Sequence, residues 1–200
     1  MRLHVTAFAV ILFVATAYAQ SSGPPTYSVG DTWTFSTGLE IKVVKVDEDG
    51  GVMSGFFPAC RTCLYHLDKN LVVLKVVDAD GKPPDVTQLG FMPVGPDWKL
   101  YDFPLEVKKT WSISAQAFFR GQLRNYTVDC RVAAYEDVKT RAGTFKAYKV
   151  VRQWSTQQKL GGGGSWTQTV WFAPDVKLGV KLTSTAAGSQ DAELVSYSVK

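Results

Sequence analysis

Histidine is almost missing from this 200-residue chain: it has two, His4 and His66, and the first belongs to an N-terminal segment set apart below. One remaining ring excludes multi-histidine zinc sites, and a Ser-His-Asp or Cys-His device would have to be built on His66 alone. Cysteine is scarce as well, confined to Cys60, Cys63 and Cys130. Long apolar runs are lacking beyond the N-terminus, where no segment approaches the ~20 residues that a membrane-crossing helix needs. There is no concentrated positive charge either. The 22 basic and 18 acidic residues are spread along the chain, and the densest basic groups, Lys108-Lys109 and residues 139–141, are too sparse to track phosphates, so no nucleic-acid partner is expected.

The N-terminus itself is informative. Arg2, an apolar run over 5–14 and the small-x-small sequence Ala15-Thr16-Ala17-Tyr18-Ala19-Gln20 read as a cleaved secretory signal peptide over 1–19, leaving one domain at 20–200. No cysteine follows the cleavage site, so the lipid-attachment pattern of bacterial lipoproteins is missing. A periplasmic or secreted location follows, and there two nearby thiols form a disulfide by default. Cys60-Arg61-Thr62-Cys63 supplies the obvious pair. Haem attachment requires His directly after the second Cys, where Leu64 stands, and a redox motif opens a helix, whereas the flanks here are strand-like. A structural Cys60–Cys63 disulfide is the expectation. Cys130 shares a face with Tyr126, Val128 and Val132 and reads as a buried core thiol, with a bond to Cys60 or Cys63 left open.

What the chain has in abundance is period-two alternation. Trp111, Ile113, Ala115, Ala117 and Phe119 alternate with Ser112, Ser114 and Gln116; Val176, Leu178, Val180 and Leu182 alternate with Lys177 and Lys181. Similar runs fall at 31–37, 39–47, 52–57, 62–68, 71–77, 123–134, 144–154, 166–172 and 193–199. Asp49-Gly50, Lys69-Asn70, Asp80-Gly81 and Ala142-Gly143 punctuate them with hairpin chemistry. No 3.6-residue apolar stripe follows the signal peptide, so helix should be scarce. The expectation is an all-β antiparallel meander of about ten strands, bent by strand twist into a half-barrel or barrel. The proline-rich stretch 78–105 cannot be a central strand and is expected to cross an end of the sheet. Four glycines at 161–164 are expected to form a loop; the Lys-Ser/Thr of a phosphate loop does not follow them. One echo joins the two ends of this pattern. Val29-Gly30-Asp31-Thr32-Trp33 and Val107-Lys108-Lys109-Thr110-Trp111 share Val-x-x-Thr-Trp, as if each opened one half of the sheet.

Four segments, at 30–33 (Gly-Asp-x-Trp), 103–111 (Phe-Pro-Leu-x-Val-x-x-x-Trp), 142–147 (Ala-Gly-Thr-Phe-x-Ala) and 171–181 (Trp-Phe-Ala-Pro-x-Val-x-x-x-Val-Lys), resemble a set of uncharacterised bacterial exported β-sheet proteins. In the second segment the usual Gly is replaced by Lys108 or Lys109. More loosely, the architecture is similar to the curved half-barrels of periplasmic lipoprotein carriers, and that resemblance implies a concave face able to hold acyl chains.

The acidic groups Asp47-Glu48-Asp49 and Asp78-Ala79-Asp80-Gly81 sit at expected hairpin tips; the second lacks the glycine spacing and twelfth-position Glu of a calcium loop. No catalytic, metal or cofactor residues emerge. The aromatic load is more suggestive, because 71–77 and 166–172 are apolar on both faces and a doubly apolar strand must be covered twice. The proline-rich crossover is the first candidate cover. An apolar groove is the second, with Trp33, Trp111, Trp154, Trp166, Trp171 and Phe172 as its candidate lining. The leading expectation is therefore a non-enzymatic carrier whose partner is an apolar small molecule or lipid. An accessory module contacting an envelope protein through exposed strand edges is the alternative, and a hydrolase using carboxylates alone is the third.

Overall fold

The structure is a computed structural model, and it describes residues 21–48, 50–57, 60, 62–85, 91, 93–119, 122–157 and 163–200. The signal peptide expected at 1–19 lies outside the described residues, as do Asp49, Arg61, Gly161 and Gly162.

Thirteen strands are described, and one 3-10 turn. They are β1 (Ser21–Ser22), β2 (Thr32–Phe35), β3 (Glu40–Val46), β4 (Gly50–Ser54), β5 (Leu64–Asp68), β6 (Val73–Val77), β7 (Leu105–Glu106), β8 (Thr110–Phe119), β9 (Gln122–Thr140), β10 (Gly143–Gln157), β11 (Gly163–Ala173), β12 (Leu178–Ser184) and β13 (Ala192–Ser198). Eleven of them form one antiparallel sheet in the order β6-β5-β4-β3-β2-β13-β12-β11-β10-β9-β8, and β1 pairs with β7. The sheet is curved and open, with β6 and β8 at its edges, so of the two shapes expected the closed barrel is not formed.

The order has a simple logic. Strands β2 to β6 make one meander and β8 to β13 another, and the last strand of the second returns to pair with the first strand of the first. The stretch between β6 and β8 therefore has to travel from one edge of the sheet to the other. Its prolines suit it to that path, since a residue without an N–H cannot serve a central ladder.

The two meanders open alike. Gly30 has φ 94° and Lys108 has φ 78°. The N–H of Gly30 bonds Val43 O at 2.9 Å and that of Lys108 bonds Val132 O at 2.9 Å; Asp31 N–H reaches Ser28 O and Lys109 N–H reaches Glu106 O, both at 3.0 Å. The Val-x-x-Thr-Trp echo is thus one turn built twice. Lys108 holds the left-handed conformation that the first copy assigns to glycine, at the steric cost a Cβ brings there.

Two glycines depart from expectation. Gly163 and Gly164 do not lie in a loop but begin β11, opposite Gln157 and Thr156 of β10. Pairing along the ten-rung β10–β11 ladder outweighs the backbone entropy of two glycines. Strand β9 also runs to Thr140, past the expected end at 134, with a register shift at Lys149/Val150 that lets the long β9–β10 ribbon bend.

Candidate functional site

Ladder register sorts the side chains of β8 to β11 onto two faces. Rows such as Ile113, Val128, Trp154, Trp166 and Trp111, Cys130, Arg152, Gln168 point one way, because directly paired residues share a face. The intervening row Ser112, Asp129, Gln153, Thr167 points the other way and is polar, with Ser112 Oγ donating to Asp129 at 2.6 Å and Thr167 Oγ1 to Gln153 at 2.7 Å. A shallow cleft of about 500 Å³ opens on this polar side beside Asp129, Arg131 and Gln153.

The apolar face is where the candidate aromatics gather. Trp154 and Trp166 stack with centroids 5.5 Å apart and planes 8° apart, and Tyr126 meets both edge-on. The described part of the crossover, Phe91 and residues 93–104, lies against this face as an irregular strap. Its Trp98 continues the stack, 6.1 Å from Trp154 at 25°, and Phe91 sits edge-on to Trp98 and Trp154. The second buried cluster of the protein is made this way, from Trp98 with Ile113, Ala117, Tyr126, Val128, Cys130 and Trp154. The strap is held by scattered bonds: Trp98 Nε1 to Gln116 O at 3.3 Å, Trp111 Nε1 to Lys99 O at 2.9 Å, Arg152 Nη2 to Leu100 O at 2.7 Å, and Gly95 N–H back to Val73 O at 2.8 Å. Further on, Tyr101 and Phe103 rest on Phe172, at 5.2 and 5.4 Å. Gly179 makes room there: a Cβ on it would stand 3.3 Å from the Tyr101 hydroxyl and 2.8 Å from Val170 Cγ1.

The six expected groove residues are therefore divided. Trp154 and Trp166 meet under the strap, and Trp111 borders both clusters. Phe172 belongs to the larger core, as does Trp33, whose Nε1 donates to Val176 O at 2.8 Å. Trp171 turns to the opposite side from Phe172, where its Nε1 donates to Glu136 and Lys149 and Lys181 lie over its ring at 5.3 and 5.7 Å. Alternation along 166–172 already sets Trp171 opposite Trp166 and Phe172; what sequence does not show is which neighbouring strand each ring meets. Trp98, Phe91 and Tyr126 escaped that reading; the signal available was the aromatic content of the proline-rich crossover, which marks a segment that packs rather than one that merely connects.

Arg152 is the unusual residue of the covered face. It is 4% exposed, its Nη1 donates to Gln168 Oε1 at 3.0 Å, and its guanidinium lies 4.7 Å over the Tyr101 ring. No ion pair with a carboxylate is found for it among the described residues, and its Nε has no hydrogen-bond partner. Two residues along β10, the indole N–H of Trp154 is likewise buried and unpaired, and after two more, so is Thr156 Oγ1. Cys130 is the cross-strand partner of Arg152; burial pushes its thiol up to about 11, and Arg152 pulls against that shift.

Several titratable groups that the sequence singled out have structural contacts. Cys60 and Cys63 are joined by a disulfide, as expected, and Cys130, whose pairing the sequence left open, is free and buried. Asp47 Oδ1 accepts from Gly50 N–H, and Asp78 Oδ1 accepts from the N–H groups of Asp80 and Lys82, so these acidic groups close turns. His66 lies on β5 between Val52 and Lys75. Among the described residues no three His, Cys, Asp or Glu side chains gather as a metal site, and no helix is long and apolar enough to cross a membrane.

No protein-family model matches the chain, and no curated protein does. Among solved structures, a lipoprotein from Parabacteroides distasonis is similar with a TM-score of 0.50 at 12% identity, over 90% of this chain and 100% of that one. The hypothetical lipoprotein YmcC from Escherichia coli aligns with a TM-score of 0.49 at 10% identity, over 94% of each chain. At 12% identity the first likeness is one of fold.

Proposed function

We propose that this protein is an exported, non-enzymatic carrier that takes an apolar molecule onto the concave aromatic face of β8 to β11, in place of the strap. One observation carries the reading: the stack of Trp154 and Trp166 is completed by Trp98 from an irregular segment, not by a strand or helix. Such a cover is held mainly by side-chain packing, so a ligand offering equal apolar area can exchange with it. The N-terminal sequence and the fold shared with a lipoprotein agree with export. Binding of the neutral fluorophore N-phenyl-1-naphthylamine to purified, delipidated protein tests it. Saturable binding of one probe per chain, with energy transfer from tryptophan, is the expected result; no binding removes the carrier reading.

A second reading has its own support. Among the described residues no strand pairs with the outer side of β8, and Phe118 and Leu123 beside its end are 43% and 53% exposed. An accessory module adding a partner's strand at that edge would use these features. Cross-linking from position 114 in envelope extract separates the two, since the carrier reading requires no protein captured there.

A further inference from the structure

The strap-covered face of the sheet is largely apolar, and the only charged side chains in its rows are positive. In the rows under the strap, 111–119 of β8, 122–132 of β9, 150–157 of β10 and 163–170 of β11, the inner-face positions carry Arg124 and Arg152 but no Asp or Glu. Arg124 lies at the mouth, its guanidinium 4.8 Å over the Phe119 ring, and its Nε is also buried without a partner. Burying a guanidinium is costly unless a counter-charge or a full set of acceptors receives it. Arg152 has neither, since Gln168 Oε1 and the strap carbonyl of Leu100 leave Nε over. Side chains two apart on a strand lie about 7 Å from each other on the same face, so Arg152 Nε, Trp154 Nε1 and Thr156 Oγ1 make a short row of unused hydrogen-bonding groups.

We propose that the molecule carried here is an amphiphile with an oxyanion head group, a carboxylate or a phosphate, whose charge Arg152 receives while its chain lies on Trp154 and Trp166. The assignment rests on the carrier reading above. Displacing the strap takes Leu100 O away from Arg152 and leaves a second guanidinium N–H free beside Nε, and two N–H groups side by side suit the two oxygens of such a head. An uncharged head group would leave the guanidinium without compensation. A cationic one would face two arginines.

Four ligands of equal chain length separate these cases on the purified full chain at pH 8: laurate, dodecyl phosphate, dodecanol and dodecyltrimethylammonium, each below its micelle concentration, measured by calorimetry. Both oxyanions are expected to bind at least about tenfold tighter than dodecanol, with the cation weakest. Laurate against dodecyl phosphate then tells which head group is preferred. In Arg152→Gln the oxyanions should fall to within twofold of dodecanol while dodecanol itself is unchanged. Should that variant fail to fold, Trp154→Phe keeps a ring and removes one donor, and is expected to weaken the oxyanions at least threefold relative to dodecanol. Equal wild-type affinity for laurate and dodecanol overturns the head-group assignment and leaves the apolar carrier standing, as does an oxyanion preference that survives Arg152→Gln. Binding of none of the four overturns both.

Discussion

Gly30 and Lys108 occupy the same place in two copies of one turn: both have positive φ, and each donates its N–H to the carbonyl of a valine on the neighbouring strand, Val43 or Val132. The geometry suits glycine and is strained for lysine. Lys108→Gly should therefore stabilise the protein by about 0.5–1 kcal/mol, the relieved strain exceeding the added entropy of the unfolded chain. Gly30→Ala should cost about 1 kcal/mol, from strain alone, since the nearest atom to an added Cβ is Lys200 Nζ at 3.8 Å. Urea midpoints with an unchanged denaturant slope measure both.

Asp31 is fully buried and holds the first strand of the sheet to the last stretch of the described chain. Its Oδ2 accepts from Ser28 N–H and Lys177 Nζ, and its Oδ1 from Lys200 N–H, at 3.0, 3.1 and 2.9 Å. Burial works against the charge, but the two N–H groups and Lys177 outweigh it and hold the carboxyl below its ordinary value. A carboxyl lowered on folding stabilises above its unfolded pKa, and that stability is lost as pH falls through the folded value. Asp31→Asn should cost about 2–3 kcal/mol at pH 7, because Lys177 is left with its charge half-buried. Below about pH 4 the variant should lose stability less steeply than the wild type. Urea unfolding between pH 7 and pH 2 checks both the size and the slope.

Cys130 behaves in the opposite sense. Its thiol is raised to about 11 by burial, so the folded state holds it neutral where an unfolded thiol ionises. The associated stability is complete below the unfolded thiol pKa of about 8.5 and is lost as pH rises towards 11. Cys130→Ala should flatten the decline of stability over that interval, at a cost near neutral pH of about 1 kcal/mol for the lost packing. Iodoacetamide at pH 8 should leave native Cys130 untouched and modify it in urea.

The strands were legible because one wet face leaves a period-two record in each of them, and all eleven runs read that way became the eleven strands of the large sheet. Their order was not. The return of β13 to β2 and the pairing of β1 with β7 join residues far apart in sequence, and a local pattern carries no trace of which distant edge a strand will meet. The site was half legible for a related reason. Doubly apolar strands announce that something covers them, the prolines at 78–105 announce a crossover, and alternation sets Trp171 opposite Trp166, but only register shows that Trp154 stands directly beside Trp166. Arg152 gave no sequence signal, since a single arginine in an alternating strand reads as solvent-facing until the strap is placed over it.

The exchange of strap for ligand is tested most directly by Trp98→Ala, compared with the wild type for binding of N-phenyl-1-naphthylamine. Removing this indole empties one position of the three-indole stack and should cost about 3 kcal/mol of stability, so cooperative urea unfolding is confirmed first. If strap and ligand compete for the same surface, the variant binds one probe per chain about tenfold tighter or more than the wild type. Saturable binding that Trp98→Ala leaves unchanged, or no binding by either protein, would contradict the account.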